Sequence, residues 1–216
     1  MERYNLLIAL GVSPAVLTET IWTLAIEHPQ PAIPDEIHVV TTLTGERILR
    51  HRLFETPDEE GFSVWQRFCR EVLQLEPESP EAPTWFIHVP LRGNGLKLDD
   101  IRTWDDDRRY AELCYQVVAR LCADPEAPRV VASIAGGRKT MSAHLLTAFS
   151  LYARPQDESI HVLVHPEQSV LEDLTFFYPR SGGRQEVRIE RVDLHLVRFR
   201  QQLEELARLH RRLPCR

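Results

Sequence analysis

Short apolar runs and helical stripes alternate along the first three quarters of the chain. Residues 5–10 form an unbroken apolar run that ends at the turn Gly11-Val12-Ser13-Pro14. Residues 15–27 have helical spacing and stop at Pro29, Pro31 and Pro34. Residues 37–42 read as a second strand, 45–54 as a short basic helix and 62–75 as another helix, with a polar break at 56–60. After the turn-rich stretch 77–83 come a strand at 84–89 and a loop at 91–100 that carries Gly93 and Gly95. The clearest helix is 104–122, where Tyr110, Leu113, Val117, Val118 and Leu121 recur at intervals of three and four. Its first turn holds Asp105, Asp106 and Asp107, which complement the positive end of the helix dipole. A strand at 129–133, a helix at 138–152 and a strand at 160–164 complete the series.

Strands separated by helices pair most economically in parallel, and unbroken apolar runs suit strands covered on both faces. The expected fold class is α/β: a doubly wound, mostly parallel, Rossmann-like sheet spanning residues 1–166. Residues 167–216 read as a small carboxyl-terminal extension packed on the same domain. It would hold short strands at 176–178 and 186–192, a hairpin around Ser181-Gly182-Gly183, and a helix over 196–212. From Arg180 onward there are ten Arg against five acidic residues. A solvated helix face is the favoured reading of that charge, ahead of a binding surface.

Composition narrows the classes. A chain of 216 residues with 43% apolar and 27% charged positions is an ordinary globular protein. No stretch approaches the roughly 18 apolar residues of a spanning helix, and the six-residue run near the start is too short for a signal-peptide core. A cytoplasmic protein without membrane contact is expected. The net charge of −6 argues against a protein that coats duplex nucleic acid through its overall field, while leaving room for a local anion site. Cys69, Cys114, Cys122 and Cys215 form no metal pattern and read as buried thiols. His161 and His165 have no carboxylate or Cys at matching spacing, so a metal pair is not expected there; no cofactor is expected either. Of 26 basic residues only Lys97 and Lys139 are lysines, which raises the interest of any site that keeps one.

Two strand-to-helix junctions carry candidate chemistry. One is Gly11-Val12-Ser13-Pro14; the other runs from Ser133 through Ile134, Ala135, Gly136, Gly137, Arg138 and Lys139 to Thr140. In an open parallel sheet, ligands sit beyond the carboxyl ends of the strands where the winding reverses. A strand order 3-2-1-4-5 would bring these two junctions to one crevice. Glycines that admit close backbone approach, a helix amino terminus and two adjacent cations together make a phosphate-sized anion site. The Walker and GxGxxG patterns are both absent. Ser13 before Pro14 fits a helix N-cap, though a capping hydroxyl can still face a crevice. Thr103 is a candidate cap for the long helix, and Arg102 either reaches the crevice or pairs with Asp99.

At these junctions the sequence resembles the CRISPR-associated Rossmann-fold (CARF) proteins of type III CRISPR systems, and most of all their short stand-alone ring nucleases. The likeness is carried by Gly11-Val12-Ser13-Pro14 with Thr18-Glu19-Thr20, by Asp100-Ile101-Arg102-Thr103, by Ser133 to Met141, and by Arg154-Pro155-Gln156-Asp157. The resemblance implies a homodimer that binds a cyclic oligoadenylate, most often the tetra-adenylate, across its two-fold axis. It also implies metal-independent cleavage to linear di-adenylate ending in 2′,3′-cyclic phosphate, which switches off antiviral signalling. Ser13 and Lys139 would be catalytic. Gly11, Pro14, Thr42, Thr44, Arg102, Ser133, Ala135, Gly136, Gly137, Arg138 and Thr140 would contact the ligand, with Thr41 near the adenosine side. The family pattern continues after Asp-Ile-Arg-Thr in a form that Asp107-Arg108 does not match, leaving the part of Asp106 and Asp107 open. The alternatives are a non-catalytic sensor of the same ligand acting through a partner, and an unrelated nucleotide-binding enzyme on the same fold. The length of the chain favours the enzyme over the sensor, because little remains for an output domain. Arg138 and His144 loosely match the spacing of the helical ribonucleases fused to such sensors, but they fall at the start of a sheet-packed helix.

Overall fold

The computed structural model describes residues 2–165, 175–180 and 187–205. Six strands form one sheet: β1 (Glu2–Ala9), β2 (Ala32–Val40), β3 (Thr84–His88), β4 (Val130–Ser133), β5 (Glu158–His165) and β6 (Arg188–Asp193). Their order is β3-β2-β1-β4-β5-β6. The first five are parallel, and β6 joins β5 antiparallel. The winding reverses between β1 and β4, as the expected strand order requires. Five helices connect the strands: α1 (Ala15–Trp22), α2 (Leu43–Leu49), α3 (Val64–Phe68), α4 (Trp104–Leu121) and α5 (Lys139–Tyr152).

Alternation along β1 divides the core. Tyr4, Leu6 and Ile8 face one layer, with Leu17, Ile21, Leu49, Trp65 and Phe68. Leu7 and Ala9 face the other, with Tyr110, Val117, Val118, Leu145 and Phe149 of α4 and α5. All of these are almost fully buried, which is why the strands read as continuous apolar runs rather than alternating ones. The helices expected at 15–27, 45–54 and 62–75 are α-helical only at their amino ends. Each finishes in a wider π-type stretch: Thr23–Glu27, Arg50–Glu55 and Cys69–Leu73.

Several expectations need correcting. β2 begins five residues early and includes Pro34, at the point where its register against β1 shifts between Tyr4 and Asn5. A residue without an N–H is tolerated in a ladder at such an irregularity. Residues 176–178 are not a strand. The Phe177 carbonyl accepts from Thr18 Oγ1 (2.5 Å) and Tyr178 Oη donates to Glu71 (3.0 Å), so the segment plugs the α1 side of the core. β6 pairs with β5 instead, and the expected hairpin around Ser181 lies outside the described residues. Helix begins at Arg200 rather than 196. Leu194 N–H donates to Ser159 O and Phe199 N–H to Ser150 O, and these tertiary bonds override the helical period of 194–199. Cys69, Cys114 and Cys122 are buried, and burial pushes each thiol up to about 12. No helix among the described residues is long and apolar enough to cross a membrane.

Candidate functional site

Three strand-to-helix turns meet at the carboxyl ends of β1, β2 and β4. A Cβ placed on Gly11 would lie 3.0 Å from Gly137 Cα, so the two junctions singled out in the sequence touch through their backbones. A Cβ on Gly136 would lie 2.6 Å from Ala9 O, and one on Gly45 would lie 2.9 Å from Gly11 O. Glycine is therefore a steric requirement at Gly136 and Gly45, where the Cβ would run into backbone oxygen, and the fit at Gly11 is tight. Gly137 is also held at φ +83°, a conformation that costs an L side chain strain.

The third turn is tied in by hydrogen bonds. Thr41 Oγ1 donates to Leu10 O (2.6 Å), and Thr42 caps α2 by accepting from Gly45 N–H (3.3 Å). The loop before α4 then laces the turns together. Leu43 N–H donates to Leu98 O (2.8 Å), Thr44 N–H to Asp99 O (3.1 Å) and Thr44 Oγ1 to Asp99 Oδ1 (3.4 Å). On the far side Asp100 holds Arg138 at 2.7 Å. Burial acts to raise the Asp100 carboxyl, but the bonds from Arg138 and the Ile101 amide, with the charges of Arg138 and Arg102, outweigh it and hold the group below the usual carboxylate range.

The open end of α5 forms the floor. Its first intrahelical bond runs from Ser142 N–H to Arg138 O (3.3 Å), leaving the amides of Lys139, Thr140 and Met141 in the unpaired first turn. Gly137, Arg138, Lys139 and Thr140 are exposed. Beside them an open pocket of about 370 Å³ is lined by Ile134, Ala135, Gly136, Gly137, Lys139 and Ser142, among others. The two lysines differ sharply: Lys97 is bound to Glu46 at 2.5 Å, whereas Lys139 makes no ion pair with any described residue. The positive end of a helix, free amides and an unneutralised ammonium can receive a phosphate.

The expected site residues divide into two sets. Gly11, Ser13, Ala135, Gly136, Gly137, Arg138, Lys139 and Thr140 lie on the two touching turns. Ser13 is exposed and makes no capping bond; Pro14 itself takes the cap position (φ −71°, ψ −16°), which corrects the N-cap reading and leaves the hydroxyl uncommitted. Pro14, Thr41 and Thr42 are buried supports. Ser133 is fully buried with its hydroxyl 3.2 Å from Thr20 Oγ1, so it fastens β4 to α1 and does not line the crevice. Arg102 is exposed and sits 3.7 Å from Asp99 and 3.8 Å from Asp100.

Thr103 and Asp106 form a capping box at the start of α4. Asp107 accepts from His144 Nε2 at 2.7 Å. Burial acts to raise the Asp107 carboxyl, and bonds from His144 and Thr140 hold it low. The sequence reading missed the Gly45 contact and the pairs Asp100–Arg138 and Asp107–His144. The Gly three residues after a capping Thr was the available signal for the first. The pairs join distant residues and left no local one. Among the described residues, no cluster of three or more His, Cys, Asp or Glu could hold a metal.

An open α/β sheet whose turns converge where the winding reverses, on the free end of a helix, defines a Rossmann-like protein with a ligand crevice. The chain belongs to a CRISPR-associated family: the family model described as CRISPR-associated protein NE0113 matches residues 13–206. Among solved structures it is similar to Enterococcus italicus Csm6 bound to cyclic hexa-2′-fluoro-hexa-dAMP, at 11% identity and TM-score 0.48, covering 96% of this chain and 46% of that one. It is also similar to a putative UDP-N-acetylglucosamine 2-epimerase from Listeria monocytogenes, at 13% identity and TM-score 0.30, covering 69% of this chain and 28% of that one. The chain thus spans under half the length of either. A search of curated proteins gave no match.

Proposed function

We propose that the protein is a ring nuclease: as a homodimer it binds a cyclic oligoadenylate, the tetra-adenylate first of all, over the α5 amino termini and opens the ring. The observation that carries this reading is the backbone contact between Gly11 and Gly137, which joins the Ser13 turn to the Lys139 turn. Membership of a CRISPR-associated family and the motif resemblance to CARF ring nucleases point the same way.

The chemistry needs few groups. A ribose 2′-hydroxyl of the ring attacks the adjacent phosphorus and loses its proton. The P–O5′ bond breaks, and the leaving oxygen takes up a proton. Two such cuts give two linear di-adenylates, each with a 2′,3′-cyclic phosphate and a 5′-hydroxyl, and no water is consumed. Attack must be in line, so the phosphodiester has to be held splayed. Amides of the α5 first turn and the Lys139 ammonium would bind the non-bridging oxygens and offset the charge that grows in the transition state. Ser13 Oγ would position the scissile phosphate or the attacking hydroxyl.

The test is purified protein in EDTA with labelled cyclic tetra-adenylate, and products resolved by chromatography. Linear products ending in cyclic phosphate are expected. Tight binding with an intact ring after long incubation would replace the enzyme reading with that of a sensor. Absence of binding to the cyclic tri-, tetra- and hexa-adenylates would remove both.

A further inference from the structure

Trp104 is 78% exposed, and the next most exposed aromatic among the described residues, Phe199, reaches only 46%. It is the first residue of α4, and the chain is tied to α5 on both sides of it: Asp100 to Arg138 and Asp107 to His144, each at 2.7 Å. At about 100° per residue, Trp104 projects some 60° from the Asp107 face and one turn nearer the open end. The ring therefore stands at the open end of α4, beside the seam where Asp100 and Asp107 meet Arg138 and His144 of the α5 amino-terminal segment. The Arg108 guanidinium lies 5.7 Å from its centroid and is itself fixed by Asp105 (3.0 Å) and Glu112 (3.0 Å). The indole is thus braced by a cation while most of its surface stays in water.

We propose that Trp104 is a base-stacking subsite that takes a purine ring of the ligand whose phosphate sits on the α5 turn. This deepens the function proposed above and rests on it. A phosphodiester splayed for in-line attack has lost the stacking of its flanking bases. Proteins that hold unstacked nucleotides supply an aromatic face beside a cationic groove, and Arg on the ring adds to the stack. A contact between two copies of the chain fits this residue less well. The first turn of α4 around Trp104 carries Asp105, Asp107 and Arg108, and interface centres are depleted of such charge.

The experiment is a fluorescence titration of the full chain with cyclic tetra-adenylate in EDTA, on wild type, Trp104→Phe and Trp104→Ala, with elution volume recorded for each. Quenching of indole emission is expected in the wild type and should vanish in Trp104→Phe, which keeps most of the affinity. Trp104→Ala should bind about 5- to 150-fold more weakly, the range for removing one base stack. Unchanged affinity in Trp104→Ala, or a shift of its elution volume toward a smaller species, overturns the subsite and leaves the function proposed above standing. If the wild type binds no cyclic adenylate, titration with 5′-AMP against ribose 5-phosphate still decides. Quenching by AMP alone, lost in Trp104→Phe, upholds the subsite, and equal responses overturn it.

Discussion

Gly136→Ala is the most direct perturbation of the turn convergence. The added Cβ would stand 2.6 Å from Ala9 O, the backbone of the central strand, with Leu10 Cδ1 next at 3.5 Å. An ordinary carbon–oxygen contact is about 3.3 Å, so the β4–α5 turn has to retreat by about 0.7 Å. Gly136 needs no positive φ, which makes the effect purely steric. Overpacking of this kind costs about 1–3 kcal/mol, offset by roughly 0.4–1 kcal/mol from the stiffer unfolded chain. A net loss of about 1–2 kcal/mol lowers the melting temperature by roughly 2–8 °C in a chain of this size. The larger effect is on the crevice, because a misplacement of about 1 Å is worth roughly 100-fold in rate. On the function proposed above, cleavage should fall by tens-fold. Gly93→Ala is the control: its Cβ would meet nothing closer than Arg109 Nη2 at 3.6 Å, and its stability should stay within about 0.5 kcal/mol of wild type. Calorimetry and a timed cleavage assay on both variants decide the matter. A Gly136→Ala protein that melts and cleaves like the wild type would show that the turns do not pack as described.

Other outcomes follow from the same geometry. Lys139→Ala should slow cleavage by about 100- to 1000-fold while weakening binding far less, and Lys139→Arg should not restore the rate, since a planar fork replaces a compact ammonium; single-turnover kinetics beside a binding isotherm separate the two effects. Arg154→Ala strands the fully buried Asp157 and should cost about 3–5 kcal/mol in a urea titration, with a loss under about 1 kcal/mol contradicting the pairing. Two groups, half-buried His88 and buried Glu19, should tilt stability in opposite directions over one pH window. Burial, then the charges of His38 and Arg120, lowers His88 from 6.5 to about 4, so its contribution is whole above 6.5 and lost as pH falls toward 4. Burial raises Glu19 from 4.5 to about 7, so its contribution is whole below 4.5 and lost as pH rises toward 7. Glu19→Gln should therefore steepen the rise of the urea midpoint between pH 4.5 and 7 and His88→Gln should flatten it; equal slopes in all three proteins would discount both assignments.

Much of the fold was legible because local preference and tertiary need coincide. The stripe of α4 faces α5 and the sheet, and the unbroken runs of β1 and β4 are covered on both sides. Legibility failed where tertiary bonds outrank local pattern. Pro34 lies inside β2 because a register shift absorbs it, and residues 194–199 stay out of the helix because the Leu194 and Phe199 amides donate to Ser159 O and Ser150 O. In the crevice, the glycines after β1 and β4 were visible as turns that admit close approach, but their mutual contact needed the strand order. Ser133 was misread although the alternation could have placed it: it lies two residues beyond Val131, on the face that packs under α1, so its hydroxyl points to Thr20. Ser13 was misread for a subtler reason. The Pro14 carbonyl already accepts from Leu17 N–H and Pro14 holds the cap position, so Ser13 stands one residue outside it with its side chain exposed.

The Arg bias of the chain acquires a structural meaning that also sharpens the site. The buried Arg154 fork donates to the carbonyls of Asp124, Ala127 and Pro128 and to both oxygens of Asp157. Arg198 donates to Arg154 O (3.2 Å) and Asp157 O (2.6 Å), and Arg200 to Cys122 O (2.6 Å) and Tyr152 O (3.2 Å). The Cys122 and Tyr152 carbonyls end α4 and α5, where orphan acceptors and the negative end of the dipole favour a cation, and the others lie in the loops that follow the two helices, where several fixed donors are needed to satisfy them. Arg198 and Arg200 thus tie the segment after β6 to the far ends of the two helices whose near ends flank the crevice. An ammonium has no planar fork to span such a set, so arginine there does work that lysine would do poorly. At the crevice the preference reverses. Arg138 is engaged by Asp100, Lys97 by Glu46, and among the described residues the crevice cation without an ion pair is a lysine at the first position of α5, short enough in reach and free enough in rotation to follow a phosphate as its geometry changes.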